Sequence, residues 1–222
     1  MTITTQTARL NTGDIFEDLR VGLTTARFDP GAKLMPQDLR AIYGCSANTI
    51  REVLLRLSFT GLVVFEEQRG FRVRRTSSQR LHDLAIFRIQ LEQEGLARSI
   101  ERGGVAWGAQ LSAAHYKLRH IEEQAETPEK LTDVLPLWCA AEWEFHDTLL
   151  AACDSPCLRE SYRGVYDQFR QQRVTLDNNF GHIDENILEH QRILEAALAH
   201  DTVTARQHVY NHLKRNLLPN QS

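Results

Sequence analysis

The chain carries nine histidines against two methionines, and several of them stand at spacings that could do chemistry. His146 follows Glu142 by four positions, His212 follows His208 by four, and His190 comes directly after Glu189. On a helix a spacing of four puts two side chains on one face. A carboxylate with imidazoles converging from separate helices is a common way to build a metal site in a bundle. Three imidazoles suit Zn or Ni, and a carboxylate shifts the preference towards harder ions such as Mn, so the choice of divalent ion stays open. A single histidine is more often an ordinary surface or capping residue. That reading is kept for His82, His115, His120, His182 and His200, while His208 is either a support behind His212 or a packed surface group.

A different chemistry is carried by Ser46, Asn48, Thr49 and Arg51, with Arg69 further on beside Gly70. Hydroxyl, amide and guanidinium groups reach phosphates and base edges of a DNA groove. Taken singly these are solvated surface groups, and their order along the chain is what favours a DNA reading.

Both sets need elements to position them. Asn11 or Thr12 can cap a helix running from about Asp14 to Ala26, with Ile15, Leu19 and Leu23 on one face. Asp29-Pro30-Gly31 is a turn, and Pro36 suits the first position of a second helix ending near Gly44. Ser46 caps a third helix whose Ile50, Val53, Leu54 and Leu57 form an apolar stripe, closed by Gly61. Leu62–Phe65 and Phe71–Val73 read as two short strands around a Glu-Gln-Arg-Gly turn. Three helices and a two-stranded ribbon are the order of a winged helix-turn-helix, with the polar cluster at the start and on the outer side of the third helix. From Leu81 onward no strand pattern appears. A long helix carried by Leu84, Ile86, Phe87, Leu91, Leu96 and Ile100 ends at Gly103-Gly104. Further helices are expected from Ala109 to Gln124, about Glu129 to Cys153 with a kink near Pro136, Leu158 to about Asn178, Asp184 to His200 and Thr202 to Leu217, six or seven in all. Breaks fall at Thr127-Pro128, Asp154-Ser155-Pro156 and Gly181. The fold class is mainly α: an N-terminal winged helix-turn-helix followed by an all-helical bundle.

The net charge of −3 argues against a strongly basic nucleic-acid binder only if charge is evenly spread. It is not. Residues 1–76 hold eleven basic and eight acidic residues, and the remainder fifteen and twenty-one. That asymmetry predicts two domains with different partners, 1–76 and 77–222, with the seam in Arg74–Gln79. With 42% apolar and 25% charged residues, the composition excludes a disordered chain or a small disulfide scaffold. The polar stretch Met1–Leu10 lacks a signal-peptide core, and the apolar runs are too broken to span a membrane. Cys45, Cys139, Cys153 and Cys157 read as reduced thiols in a cytoplasm.

Leu34-x4-Leu39 with Gly44, then Ser46-x4-Arg51-Glu52-x-Leu54-x2-Leu57-x3-Gly61-Leu62, then Arg69-Gly70-Phe71-x-Val73, resembles the DNA-binding domain of GntR-type bacterial transcription regulators over about residues 12–75. The resemblance implies that the third helix reads operator DNA and the wing grips beside it, with Ser46, Asn48, Thr49, Arg51 and Arg69 as contacts. The chain departs from that pattern: Gln37 and Ala47 stand where many relatives have Arg, Thr49 where they have Pro, and Glu66 and Glu67 bring negative charge to the wing.

A second resemblance covers about residues 80–217. Arg88-x2-Leu91-Glu92-x4-Ala97, Phe145-His146, Glu189-His190-x2-Ile193-Leu194-x-Ala196-x9-Arg206 and His212 are similar to the FCD ligand-binding domain of the FadR branch of those regulators. It implies a divalent metal on an Asp four residues before the first His and on three His, here His146, His190 and His212. Glu142 stands at the Asp position. One methylene longer, it either binds metal through a changed rotamer or points elsewhere. The resemblance also implies an effector pocket beside the metal that often takes a small carboxylate, with Arg88, Arg170 and Arg173 as candidate anion binders. The competing reading for each is a salt bridge, for example Arg88 with Glu92.

The expected protein is a ligand-responsive transcription regulator, not an enzyme: a cytoplasmic homodimer on a two-fold operator, answering a small-molecule effector such as an organic acid, with no membrane partner. The alternative is a metal-dependent helical hydrolase or isomerase with an N-terminal accessory domain. No separately spaced general base or nucleophile motif supports it.

Overall fold

The computed structural model describes residues 11–124, 128–176 and 183–219. The chain divides into two compact units, one ending at Arg75 and the other beginning at Thr76. Met1–Leu10, the break at Thr127, the Asn178 end of the fourth bundle helix, Gly181 and His182 lie outside the described residues.

The first unit opens with helix α1, Thr12–Thr24. Asn11 caps it by accepting from the Asp14 amide, and the Asp14 carboxylate accepts from the Asn11 amide in return. A two-residue strand β1, Lys33–Leu34, follows, then α2, Pro36–Tyr43, with Pro36 in the first turn and Gly44 closing it in the left-handed region. Helix α3, Ala47–Phe59, is capped by Ser46, whose hydroxyl accepts from the Thr49 amide. Strands β2, Val63–Glu66, and β3, Gly70–Val73, form the ribbon. The sheet has three strands in the order β1-β3-β2, all antiparallel, with Leu34 opposite Phe71 and Val63 opposite Val73. β1 is absent from the sequence reading because two residues are too few to show a period of two. Ile15, Leu19, Ile50, Val53, Leu54 and Leu57 are fully buried in this unit's core. Each such side chain contributes roughly 1.5–3 kcal/mol by leaving water.

The second unit is helical: α4, Ser78–Arg102; α5, Val105–Gln124; α6, Pro128–Leu149; α7, Pro156–Leu176; α8, Ile183–Leu198; and α9, Thr202–Leu213, ending in a 3-10 turn at Lys214–Asn216. Ser77 caps α4 and Asp201 caps α9. α5 starts a turn earlier than its sequence pattern suggests, and Trp107 in that turn is buried, its Nε1 donating to the Thr148 carbonyl. Pro136 lies inside α6 without interrupting it, and α6 ends at Leu149 rather than Cys153. α4 packs on α7 and α9, α5 on α6 and α8, and α8 on α9. α4 comes close to its neighbours at Gly95, where a Cβ would fall 2.7 Å from Leu150 Cδ2 and 3.1 Å from Leu158 Cδ2. Among the described residues no helix is long and apolar enough to cross a membrane.

Candidate metal centre and nucleic-acid interface

His146 on α6, His190 on α8 and His212 on α9 meet inside the bundle. All three are buried, and their candidate ligand atoms lie within 4.8 Å of one another. The ring centroids are 5.4 Å apart for His146 and each of the others, and 4.6 Å for His190 and His212. Phe145 packs edge-on against His146 and His190 and helps fix their planes.

Each imidazole has a carboxylate at its Nδ1. Glu92 Oε1 of α4 lies 2.6 Å from His146 Nδ1, and Glu189 Oε2 lies 2.7 Å from His212 Nδ1. Glu122 Oε1 of α5 lies 3.3 Å from His190 Nδ1 and accepts from Trp138 Nε1. A carboxylate at Nδ1 favours the tautomer with the proton there, leaving the Nε2 lone pair for a cation. Among the described residues the buried Nε2 atoms of His146 and His190 have no hydrogen-bond partner, and the 3.3 Å approach of Glu122 leaves His190 Nδ1 without one as well. Orphaned buried nitrogens are costly in a metal-free bundle and are what a ligand set supplies. Burial drives His146 down to about 4, against the pull of Glu92, and burial with the neighbouring imidazoles drives His212 well below the ordinary histidine value. Both are therefore neutral near pH 7, the form that binds metal. For Glu92, burial works to raise the value, but His146, Arg88 and Tyr162 hold it at about 2. Three nitrogens 4.8 Å apart have a centre about 2.8 Å from each, against about 2.0–2.1 Å for Zn–N, so closing on an ion needs about 0.7 Å per ring at most. The donor set fits a divalent ion of the imidazole-loving kind.

Glu142 is buried on the same face of α6, one turn before His146. Its Oε2 is ion-paired with Arg170, and its Oε1 stands 4.0 Å from His146 Nε2. It therefore faces both the imidazoles and Arg170.

The arginines are also placed. Arg88 makes the ion pair with Glu92, at 3.1 Å, and its guanidinium lies over Tyr166 and Phe169. Among the described residues its buried Nη2 has no hydrogen-bond partner. Arg170 lies over Trp138, 4.4 Å from the ring centroid, and near Tyr166. Burial lowers its value to about 10, which still leaves it charged near pH 7. Arg173, a turn further along α7, lines a cavity of about 340 Å³ with Leu81, Leu176, Arg215 and Leu217.

Of the remaining histidines, His82 Nδ1 accepts from the Leu218 amide, His200 Nδ1 lies 3.0 Å from the Ile100 carbonyl oxygen and His120 is exposed. His208 is half-buried. His115 is buried against Phe145, and burial with the nearby His190 lowers its value. The sequence reading missed Glu122 and Tyr162, whose hydroxyl donates to Glu92. It names Glu92 in the motif of the first bundle helix and as the partner of Arg88, not as the support of His146. Nothing in the local spacing of Glu122 points to His190, which is 68 positions away by number.

In the first unit Asn48 and Arg51 are exposed at the start of α3, and Ser46 and Thr49 share a hydroxyl contact of 2.9 Å. Ile50, Val53, Leu54 and Leu57 face inward, leaving the polar residues on the open side. Arg69 stands at the ribbon turn with its side chain 76% exposed, held only loosely by Glu66 at 3.6 Å. Gln68 and Gly70 have positive φ, which makes the turn tight enough to project it.

Comparison with known proteins agrees with this architecture. Residues 11–73 match the family described as bacterial regulatory proteins, gntR family, and residues 83–215 match the FCD domain. The chain is 30% identical over 205 residues to the HTH-type transcriptional regulator BphR of Paraburkholderia xenovorans (strain LB400), covering 91% of this chain and 82% of that one. It is 27% identical to the HTH-type transcriptional repressor GlaR of Escherichia coli (strain K12), covering 90% and 91%. The fold is similar to that of E. coli McbR/YncC (TM-score 0.74, 22% identity, 92% and 94% covered). It is equally similar to a putative GntR regulator from Rhodococcus sp. RHA1 (TM-score 0.73, 24% identity, 92% and 94% covered). The chain belongs to the GntR family of bacterial transcription regulators, with an FCD domain behind its helix-turn-helix. It is a ligand-responsive, DNA-binding regulator.

Proposed function

We propose that the protein acts in the cytoplasm as a homodimer, each subunit placing α3 in one half-site of a two-fold operator, and that a small carboxylate bound beside a divalent metal changes that placement. The observation that supports the sensor half is the meeting of three buried imidazoles, each backed by a carboxylate from the bundle. His146, His190 and His212 would hold the ion, with Glu142 in reach as a further ligand. When bound, the ion supplies positive charge and open positions for a carboxylate oxygen. Arg88 and Arg170 offer guanidinium donors that suit a carboxylate bidentately, and Arg173 is a further candidate from the neighbouring cavity.

The effector must bind one arrangement of the sensor better than another, since equal affinity shifts nothing. α7 offers a route within the helical unit: two residues after Arg170, the Gln172 side-chain oxygen accepts from the amide of Ser77, the cap of α4. Movement of α7 would act on the start of α4 through that bond. In the other half, Ser46, Asn48, Thr49 and Arg51 read or anchor the operator and Arg69 grips beside it. No catalytic step is assigned to these residues.

The test is a gel shift with DNA from upstream of the chain's own gene. Specific retention that weakens steeply with salt is expected. No preference over competitor DNA would rule the DNA reading out. Elemental analysis of the purified chain against His190→Ala reads the metal separately.

A further inference from the structure

We propose that Glu142 is shared, so that the Arg170 guanidinium and a bound cation compete for one carboxylate. The inference rests on His146, His190 and His212 being a metal site and adds to it a regulating arm.

Three observations carry it. Glu142 is the carboxylate at the centre that no Nδ1 engages: Glu92, Glu122 and Glu189 stand at His146, His190 and His212. Its two oxygens face different groups: Oε2 is on the Arg170 guanidinium, and Oε1 stands 4.0 Å from Nε2 of neutral His146, which among the described residues has no hydrogen-bond partner and offers its lone pair where a cation would sit. Arg170 in turn has Glu142 as its carboxylate partner among the described residues, is 3% exposed, and keeps a buried Nε without a hydrogen-bond acceptor. A buried guanidinium holds its counter-ion hard, because losing it leaves a charge without solvent or partner. A cation among the imidazoles pulls on the same carboxylate. What strengthens one bond weakens the other, by linkage. The metal site is thereby made sensitive to whatever anion occupies Arg170.

The test is a double-mutant cycle read by zinc affinity on the full, metal-stripped chain, with circular dichroism checking the fold. Arg170→Gln should tighten zinc binding about tenfold and Glu142→Gln should loosen it about tenfold, while Arg170→Gln added to Glu142→Gln should change it less than about twofold. Equal tightening in both backgrounds overturns the proposal, since Arg170 would then act by plain repulsion of the cation. Unchanged affinity in Glu142→Gln also overturns it, since Glu142 would be only a counter-ion for Arg170. If Arg170→Gln does not fold, Arg170→Lys keeps the charge but loses the fork, and it should move zinc affinity the same way by less. Zinc binding that survives His190→Ala unchanged places the metal elsewhere, and the reading of the site falls together with this inference.

Discussion

Single side chains in this protein hold more than one role. Ser46 caps α3 through its hydroxyl and also stands at the proposed DNA surface. Ser46→Ala should therefore cost about 1 kcal/mol of stability in addition to any loss of DNA contact. Arg51 is exposed and has no such structural duty. Arg51→Ala should leave urea unfolding unchanged, weaken operator binding by roughly 1–3 kcal/mol if it reads a base, and reduce the salt slope by about one if it contacts a phosphate instead. Operator affinity that does not change contradicts its assigned role. Asp18 ties α1 to α2 by accepting from Tyr43 at 2.5 Å and from Arg27. The Arg27 hydrogen bond, against burial and with help from Tyr43, holds its carboxyl below the ordinary aspartate range. A depressed carboxylate stabilises fully above its unfolded value and loses that contribution as pH falls through the folded one. Asp18→Asn should thus be less stable than the parent by at most ~1 kcal/mol near neutral pH, the pair being half-exposed. Urea melts should show that gap narrowing once the pH drops below the unfolded carboxylate value.

At the level of elements, the site is a product of helix crossings. α4 supplies Glu92, α5 Glu122, α6 Glu142 and His146, α7 Arg170 and Tyr162, α8 His190 and α9 His212. A shift of any one helix changes the triangle of imidazoles. Gly95 sets the depth of one crossing, because Leu150 and Leu158 occupy the space where its Cβ would be. Gly95→Ala is expected to cost about 1–3 kcal/mol in denaturant unfolding, despite alanine's better helix propensity. Because Gly95 lies one turn from Glu92, zinc affinity should fall with it.

For the whole molecule, two units with opposite charge balance share one chain. Metal stabilises only the unit that holds it, so zinc at about a hundredfold above its Kd should add about 2.7 kcal/mol to that unit and raise its melting temperature. His146→Ala should abolish the rise while leaving DNA binding by the first unit measurable. A rise that persists in the variant would move the metal away from the imidazoles.

Much of this was legible in the sequence. The apolar periods, the caps at Asn11 and Ser46, and the stops at Gly44 and Gly103 placed the helices to within about a turn, because each signal acts on its immediate neighbours. The polar face of α3 follows from the same arithmetic, since an apolar stripe turned inward leaves the remaining positions outside. The local sequence also sets the Arg88–Glu92 pair, one helical turn long. What the chain's order does not contain is which distant groups meet. β1 exists only through β3, Glu122 and Glu92 find their imidazoles only across helix packing, and Glu142 turns to Arg170 only because α6 and α7 bring them together. Those choices belong to tertiary structure. A buried charge is stable only beside its partner, and the partner is selected by proximity in space rather than along the chain.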